Sequence, residues 1–371
     1  MKIGKMKTGK MKTGKMKIGV PKEIKVLEGR VALIPEACGA FVKQGHEVFI
    51  EASAGELSGY SDEEYLACGV VVVPGAAQLY ASAQLIVKVK EPLENDLQYL
   101  RKYHMLFCYL HLAANRPLAD RLCEIGLTAL AFETVTDEFG HLPLLKPMSE
   151  IAGTLATQIG TYLLQQPQGG KGLMLGGLSA TESGKVVVLG AGVAGSAAAL
   201  QAAAAGAQVT LIDRDESRFA VLCDANVNIE GVVSSAINIA WEVKSADLLI
   251  GAVLLPGLQT PRLVSEAQVK SMQAGSVIID ISVDQGGCIE TIRPTNYLNP
   301  TYVKHDVLHF GVTNMPGAVP RTASQALSAV ISPYLQCLCE DGWQQHKSLQ
   351  NGINVRKGRI DNPLIAAALK S

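Results

Sequence analysis

Three side chains that can bind or protonate an anion follow apolar runs in the first third of the chain. Arg30 comes after the first predicted strand, Lys90 ends a strand that Pro92 stops, and His111 ends another strand. Ligands of open α/β sheets bind beyond the carboxyl ends of strands, so these positions suit an anionic ligand. The guanidinium fork of Arg30 matches a carboxylate, and histidine exchanges a proton near neutral pH. Each residue taken alone is also explained as a solvated surface charge or a structural histidine.

A glycine motif in the middle of the chain predicts a dinucleotide-binding turn. GAGVAG at 190–195 follows the apolar run KVVVL and precedes SAAALQAAAA, so it lies between a predicted strand and a predicted helix. Gly190 permits the tight turn, Gly192 lets the backbone approach a pyrophosphate, and Gly195 allows close helix–strand packing. Asp213 ends the next predicted strand, where its carboxylate accepts ribose hydroxyls and repels a 2′-phosphate. The motif favours NAD over NADP, although the adjacent Arg214 leaves NADP open.

Another acidic residue follows a later strand of the same region. The segment DISVDQGG at 280–287 ends an apolar run with an acid and two glycines. Because this position also lies beyond a strand's carboxyl end, Asp284 is a candidate to face a bound cofactor. The alternative interpretation is that its carboxylate caps a helix or a turn.

The elements that must position these residues alternate between short apolar runs and helix-like stretches, a pattern typical of parallel α/β proteins. Predicted strands of the first part lie near 17–20, 47–51, 85–90, 105–110 and 128–132, with a helix at 35–44 that ends at Gly45. Predicted strands of the second part lie near 185–189, 208–213, 247–253, 276–280 and 308–312. From Arg321 onward the pattern is helical. The sequence predicts two Rossmann-like, doubly wound α/β domains.

The predicted domain boundaries follow these changes in pattern. A chain of 371 residues exceeds one ordinary core. We expect a substrate domain over 16–143 that is completed by 321–371, and an NAD-binding domain over 144–320. Residues 1–15 repeat with a period of five and carry six lysines. This repeat predicts a disordered leader without a catalytic role, and the alternative is a functional basic arm.

Composition narrows the classes of function. Apolar residues make up 48% of the chain and charged residues 18%, as expected of a well-packed globular enzyme. Without the six leader lysines, 27 of the 33 basic residues remain against 34 acids, so no basic patch for nucleic acid is expected. No apolar stretch is long enough to span a membrane. The eight cysteines have no metal-ligand spacing, so we expect no metal and reduced thiols in a cytoplasmic protein.

From Met16 to about Asp361 the sequence resembles the alanine dehydrogenases, a two-domain family that also includes the NAD-binding subunit of proton-translocating transhydrogenase. The runs that carry the resemblance are IGVPKE (18–23), GRVAL (29–33), KVKEP (88–92), LHLAA (110–114), LPLLKPMSE (142–150), GAGVAG (190–195), DLLIGAVLLPG (247–257), DISVDQGGC (280–288) and NMPGAVP (314–320). Two features depart from the family: the lysine-rich leader, and the loop LSATESG (178–184), which lacks the expected glycine- and proline-rich form.

The resemblance implies that the chain interconverts L-alanine with pyruvate and ammonia, using NAD, as a cytoplasmic homo-oligomer, usually a hexamer. It implies two domains around a cleft, the first completed by C-terminal helices. Arg30 and Lys90 would bind the substrate carboxylate, and His111 and Asp284 would be the catalytic pair. The residues expected to contact NAD are Ser149, Gly190, Gly192, Val193, Ala194, Gly195, Asp213, Arg218, Ser234, Val253, Leu254, Ile281, Ser282, Val283, Asp284, Arg293, Val312, Thr313, Asn314 and Met315.

Two alternatives remain open on the sequence. One is a nucleotide-binding subunit that serves a membrane partner, as in transhydrogenase, and Arg30, Lys90 and His111 together argue for a small-molecule enzyme instead. The other is a dehydrogenase that makes a secondary amine, such as saccharopine dehydrogenase, which must accommodate a much larger substrate.

Overall fold

The computed structural model describes residues 14–253 and 260–370, and the chain divides into two compact units. The first unit takes in Met1–Pro147 and Gly317–Ser371, and the second is Met148–Pro316. Most of the predicted leader lies outside the described residues, and its disorder therefore stays a prediction. Lys15, at its end, is described and pairs with Glu47 at 3.0 Å.

The N-terminal part of the first unit builds a parallel sheet covered by helices. Its strands are β1 (Lys17–Val20), β2 (Glu47–Glu51), β3 (Val71–Val73), β4 (Leu85–Val87), β5 (Met105–Cys108) and β6 (Thr128–Ala131). Its helices are α1 (Pro35–Lys43), α2 (Asp62–Ala67), α3 (Ala76–Ser82), α4 (Glu94–Leu97) and α5 (Arg116–Ile125). These strands run parallel in the order β6-β5-β4-β1-β2-β3. The segments that follow β1, β4 and β5 therefore begin at one edge of the sheet, side by side.

The second unit builds another sheet of mostly parallel strands. It begins within α6 (Lys146–Leu163) and continues with the helices α7 (Val193–Ala204), α8 (Ser217–Ala225), α9 (Ala236–Ser245) and α10 (Glu266–Lys270). Its strands are β7 (Lys185–Leu189), β8 (Gln208–Asp213), β9 (Ile229–Val233), β10 (Leu248–Gly251), β11 (Val277–Asp280), β12 (Thr301–Lys304) and β13 (Val307–Phe310). The order is β12-β13-β11-β10-β7-β8-β9, and β12 alone of these described strands runs antiparallel to its neighbour. The reversal of strand order beside β7 is the doubly wound pattern.

The C-terminal segment returns to the first unit, but not as helices alone. It forms α11 (Pro320–Leu338), α12 (Lys347–Gly352), β14 (Ile353–Arg356), β15 (Arg359–Ile360) and α13 (Pro363–Ala368). β14 pairs antiparallel with β6, and the hairpin turns through Lys357 and Gly358, both at positive φ. The helical pattern predicted from Arg321 onward is confirmed for α11, α12 and α13 but does not extend to this hairpin. The polar Asn354 interrupts a short apolar run, and its buried side chain accepts a hydrogen bond from Thr134.

The core strands are shorter than the sequence suggests at the carboxyl edge of the first sheet. β4 ends at Val87 rather than at residue 90, and β5 ends at Cys108 rather than at 110. Lys90 and His111 therefore lie three residues beyond their strands, in loops where side chains can turn toward a ligand. Among the described residues, no helix is both long and apolar enough to cross a bilayer.

Candidate functional site

Arg30 is held in place by an acid two residues before it. Both carboxylate oxygens of Glu28 accept hydrogen bonds from the guanidinium, at 2.6 Å from Nε and 2.6 Å from Nη2, and Glu28 also accepts the Arg30 backbone N–H. Both side chains are buried. Burial alone would lower the pKa of Arg30, but the hydrogen bonds and charge of Glu28 outweigh it and raise that pKa. Arg30 is thus a fixed, permanently charged group after β1.

Lys90 lies in the loop after β4, half-buried and close to other cations. Its backbone is anchored by Glu23, which accepts N–H groups of Val89 at 2.6 Å and of Lys90 at 3.4 Å. Burial and the charge of Arg30 lower the pKa of the Lys90 amine. Within the described ranges, no acid lies at ion-pair distance from its ammonium group. A bound anion would relieve the repulsion between Lys90 and Arg30.

A buried charge network lies behind Lys90. The Lys88 ammonium is 3.5 Å from Glu23 and 3.4 Å from Asp96, and Tyr80 donates its hydroxyl to Asp96 at 2.9 Å. The Lys88 side chain is only 1% exposed. Burial would lower the pKa of Lys88, but the two carboxylates outweigh it and keep the amine protonated. This network ties the loops after β1 and β4 together, because Glu23 belongs to the first and Lys88 to the second.

His111 has an unusual backbone and is contacted on several sides. Its φ is 52°, in the left-handed region that few residues other than glycine adopt. Glu133 accepts its backbone N–H at 2.6 Å, and its ring stacks on Tyr109 with centroids 5.9 Å apart. Tyr109 is itself anchored by a hydrogen bond to the carbonyl of Leu144. The His111 side chain is about half exposed, so its ring is both oriented and accessible.

Glu91 lies beside His111 and was not predicted as a site residue. Its Oε2 is 3.6 Å from the His111 Nδ1, and its Oε1 accepts a hydrogen bond from Lys25 at 2.5 Å. Burial would raise the pKa of Glu91, but the contacts with His111 and Lys25 outweigh it and hold that pKa well below its usual range. Glu91 is therefore an ionised carboxylate next to the imidazole.

The glycine motif of the second unit has the geometry that dinucleotide binding requires. Gly190 has φ +99°, and a Cβ at Gly195 would lie 1.7 Å from the carbonyl oxygen of Gly190. A Cβ at Gly192, in contrast, would meet no atom within 4 Å, which leaves room for a phosphate at this point. Gly192 is also the N-cap of α7, whose first N–H groups and positive dipole end favour an anion.

Asp213 ends β8 beside this turn. Its carboxylate accepts the N–H of Ala191 at 2.7 Å and that of Asp215 at 3.1 Å, and Arg218 lies 4.0 Å away. Asp213 thus joins the glycine turn to the loop after β8. Its position fits recognition of ribose hydroxyls, and its charge disfavours a phosphate there.

Most of the other residues expected to contact NAD follow the carboxyl ends of strands in the second sheet. Ser234 follows β9, Val253 follows β10, and the loop after β13 leads to the 3-10 helix Met315–Ala318. Arg293 stacks over Tyr302, with its guanidinium 4.3 Å from the ring centroid. Those that lie at the carboxyl ends of strands are Gly190, Gly192, Val193, Ala194, Asp213, Ser234, Val253, Ile281, Ser282, Val283, Asp284, Val312, Thr313, Asn314 and Met315. Ser149 is in α6, and Leu254 lies outside the described residues.

The segment with Asp284 forms a tight 3-10 helix, Ile281–Gln285, directly after β11. The acid that builds this turn is the fully buried Asp280, which accepts N–H groups of Ser282 at 2.9 Å and Cys288 at 2.8 Å. Burial raises the pKa of Asp280 to about 6. Asp284 itself is exposed, which suits contact with a ligand, whereas Asp280 is a structural group.

The structure brings Arg30, Lys90 and His111 to neighbouring strand ends of the first unit, and Asp284 belongs to the second. The sequence did not predict Glu28, which binds the Arg30 side chain, Glu91, which lies beside the His111 ring, or Glu133, which accepts the His111 backbone N–H. Two of these acids lie at or within the motifs of the family, Glu28 directly before GRVAL and Glu91 within KVKEP. Their role depends on the folded loops, so spacing alone gave no signal. In the described part of the chain, no group of histidine, cysteine, aspartate and glutamate side chains is placed to hold a metal ion.

Comparison with known proteins agrees with this geometry. The family model for the alanine dehydrogenase/PNT N-terminal domain matches residues 19–152, and the C-terminal domain model matches 156–363. Alanine dehydrogenases of Methanococcus maripaludis and Bacillus subtilis are each 45% identical to the chain. Each alignment covers 94% of this chain, together with 95% of the length of the first relative and 94% of the length of the second.

Solved structures give the same result. A structure of L-alanine dehydrogenase matches with a TM-score of 0.92 and 45% identity, covering 96% of this chain and 99% of that one. A transhydrogenase structure from Sinorhizobium meliloti has a TM-score of 0.80 at 24% identity, covering 94% and 99%, and shares the fold. The chain therefore belongs to the alanine dehydrogenase/PNT family.

Proposed function

We propose that this chain is an NAD-dependent alanine dehydrogenase that interconverts L-alanine with pyruvate and ammonia. The observation that carries the proposal is the placement of Arg30, Lys90 and His111 after the adjacent strands β1, β4 and β5. Two cations and an oriented imidazole suit a small substrate with one carboxylate and one reacting oxygen or nitrogen. The near full-length likeness to alanine dehydrogenases supports the same conclusion.

NAD fits the second unit because the turn after β7 has space where a Cβ is missing. The open position at Gly192 accommodates the pyrophosphate, and Asp213 accepts the ribose hydroxyls. When bound, NAD supplies the hydride acceptor for the hydrogen on the alanine Cα. Arg293 and the residues from Val312 to Met315 are proposed to contact the same cofactor.

Substrate binding is assigned to the two cations of the first unit. Arg30 and Lys90 hold the carboxylate of alanine or pyruvate, and that anion offsets the repulsion that lowers the pKa of Lys90. Because Glu28 fixes the guanidinium plane, Arg30 presents a pre-oriented charge rather than a mobile one. Binding therefore loses little side-chain entropy at this residue.

Proton transfer is assigned to His111, with Asp284 in an orienting role. His111 protonates the substrate oxygen as the carbinolamine forms from pyruvate, and recovers that proton in the reverse direction. Asp284 orients water or ammonia and stabilises the positively charged iminium. The left-handed backbone at His111 agrees with a functional position, because strained residues persist where the surroundings fix them.

One assay of the purified protein tests this function. We expect alanine-dependent reduction of NAD without any added partner, and oxidation of NADH with pyruvate and ammonia from a panel of 2-oxo acids. Activity only in the presence of a membrane partner would instead support a transhydrogenase-type subunit. Preference for a large 2-oxo acid with an amino-acid co-substrate would support a secondary-amine dehydrogenase.

We further propose that the enzyme is a homo-oligomer, a hexamer by analogy with its family, and that it works in the cytoplasm. The eight cysteines all lie in the described ranges and none forms a disulfide, which fits a reducing compartment. Light scattering of the purified protein gives the oligomer mass, and a monomeric mass would refute the hexamer.

A further inference from the structure

We propose that Glu91 is a positioning residue that holds the His111 ring by Nδ1 and leaves Nε2 for the substrate. The inference rests on the proposed acid–base role of His111 and adds a residue to it. Glu91 contacts His111 and Lys25, and is assigned no contact with the substrate.

The first support is the orientation of the carboxylate. Glu91 Oε2 lies 3.6 Å from the His111 Nδ1, while the other oxygen, Oε1, is bound to Lys25. Oε2 is buried and has no hydrogen-bond partner among the described atoms. A buried, charged oxygen without a donor is costly, so the ring N–H of His111 is the donor that this oxygen requires.

The second support is that the ring has little freedom to choose another orientation. Tyr109 stacks along one face of the imidazole, and Glu133 fixes the His111 backbone in its left-handed conformation. With the proton on Nδ1 directed at Glu91, Nε2 is the nitrogen left for the substrate oxygen. A carboxylate that fixes the tautomer of a catalytic histidine acts in this way in hydrolases of unrelated folds.

The third support is the arrangement of charge around the imidazole. Glu91 lies beside the ring and Glu133 accepts the His111 backbone N–H, while Tyr109 is neutral and Lys25 contacts the other oxygen of Glu91. Arg30 and Lys90 belong to the loops after the neighbouring strands β1 and β4. The Glu91 carboxylate is therefore the acid that lies beside the imidazole, and Lys25 pairs with the same carboxylate.

This geometry predicts that two substitutions shift the pH profile of kcat/KM in opposite directions. Replacing Glu91 removes a negative charge about 4 Å from the ring, so Glu91→Gln should move the alkaline limb of the kcat/KM profile for pyruvate down by about one pH unit. Lys25→Met exposes the ring to the full charge of Glu91, so the same limb should move up. Lys25 is exposed, and its replacement leaves the fold intact even if Glu91→Gln is unstable.

The kinetic profiles are paired with NMR titration of ring-labelled histidine in the free enzyme, with the His111 signal assigned from its loss in His111→Asn. The proposal is supported if the NMR midpoint of the ring and the kinetic midpoint shift by the same amount in each variant, downward in Glu91→Gln and upward in Lys25→Met. Glu94→Gln is the matched control, an exposed acid of the same segment that should leave both midpoints in place.

Two results would overturn the inference in distinguishable ways. Unchanged ring midpoints in both variants would show that Glu91 does not act on His111, whatever His111 does. Ring midpoints that move while the kinetic limbs stay fixed would show that the His111 proton does not limit turnover, which would also refute its proposed acid–base role.

Discussion

Glu28 and Arg30 form a two-point ion pair inside the loop after β1, with both partners buried. The pair joins Nε and Nη2 of Arg30 to the two oxygens of Glu28 at 2.6 Å each. Side chains two residues apart in an extended segment point to the same side of the backbone, so the acid and the arginine can pair within this loop. The guanidinium that we propose binds the substrate is therefore oriented by its own loop before any substrate arrives.

Glu28→Gln should destabilise the enzyme because it leaves the buried Arg30 charge without its counter-charge. Removing one partner of a buried pair costs about 3–5 kcal/mol. Urea unfolding of the first unit, followed by fluorescence, measures this loss. Glu124→Gln, which breaks the exposed Arg121–Glu124 pair, is the control and should change stability by less than about 0.5 kcal/mol. Equal effects of the two substitutions would contradict the role given to Glu28.

Gly195→Ala and Gly192→Ala should separate packing from cofactor binding. The new methyl at position 195 would collide with the Gly190 carbonyl, so the variant should lose thermal stability and NADH binding together. The methyl at position 192 has open space around it, so the melting temperature should be kept while NADH affinity falls at least about tenfold. Calorimetry and NADH fluorescence titration measure the two effects. Normal NADH affinity in Gly192→Ala would refute the phosphate site.

The sequence predicted most of the strands that carry the two sites, because the middle residues of these strands are apolar and buried. β1, β2, β7 and β8 have the bounds that their sequence patterns indicate. The missed strands are edge or near-edge strands such as β3 and β9, whose residues are partly exposed. The hairpin of β14 and β15 was missed since its pairing with β6 joins residues more than 200 positions apart, which periodicity cannot reveal.

The sequence predicted the charged side chains and the histidine of the candidate site, but not the acidic residues that orient them. Arg30, Lys90 and His111 are recognisable because each follows an apolar strand. Glu133 could not be found in this way, since its contact with the His111 N–H depends on how β5 and β6 pair. The left-handed φ of His111 likewise comes from the folded loop and has no sequence signal of its own.

The enzyme should prefer NADH to NADPH because Asp213, beside the glycine turn, is the residue that we propose accepts the ribose hydroxyls. A 2′-phosphate would meet a carboxylate already held by two backbone N–H groups and unable to swing away easily. The ratio of kcat/KM values for the two cofactors at saturating pyruvate and ammonia measures the preference. Equal or better use of NADPH would show that Arg214 or Arg218 governs recognition instead.

His111→Asn and Lys90→Met should affect different kinetic constants. Asparagine tolerates the left-handed backbone of position 111, so its effect reports on lost acid–base chemistry, about a hundredfold or more in kcat. Lys90→Met removes a charge contact made in the ground and transition states, so we expect KM for pyruvate to rise about tenfold or more. NADH affinity, measured by fluorescence, should stay unchanged in both. Near-normal turnover of His111→Asn would refute the acid–base role and show that His111 is a structural residue.

The stability of the enzyme should depend on His309 between about pH 4 and pH 6.5. This histidine belongs to β13 and is fully buried. Its Nε2 accepts a hydrogen bond from the Thr291 hydroxyl at 2.7 Å, and its Nδ1 donates one to the Val307 carbonyl at 3.0 Å. Burial lowers its pKa to about 4, from an ordinary value of about 6.5 in the unfolded chain. The unfolded chain therefore takes up the proton first as the pH falls. Stability from this group is complete above about pH 6.5 and is lost as the pH falls toward 4.

The full shift corresponds to about 3 kcal/mol of lost stability. His309→Gln removes the titration, so the wild type should lose more stability than this variant when unfolding is compared at pH 7 and pH 4.5. Asp280, whose pKa burial raises to about 6, acts in the opposite sense, but it is present in both proteins and cancels in the difference. His141→Gln, a substitution at an exposed histidine, is the control and should keep the wild-type slope. A His309→Gln protein with that same slope would show that the buried imidazole is not the group that titrates.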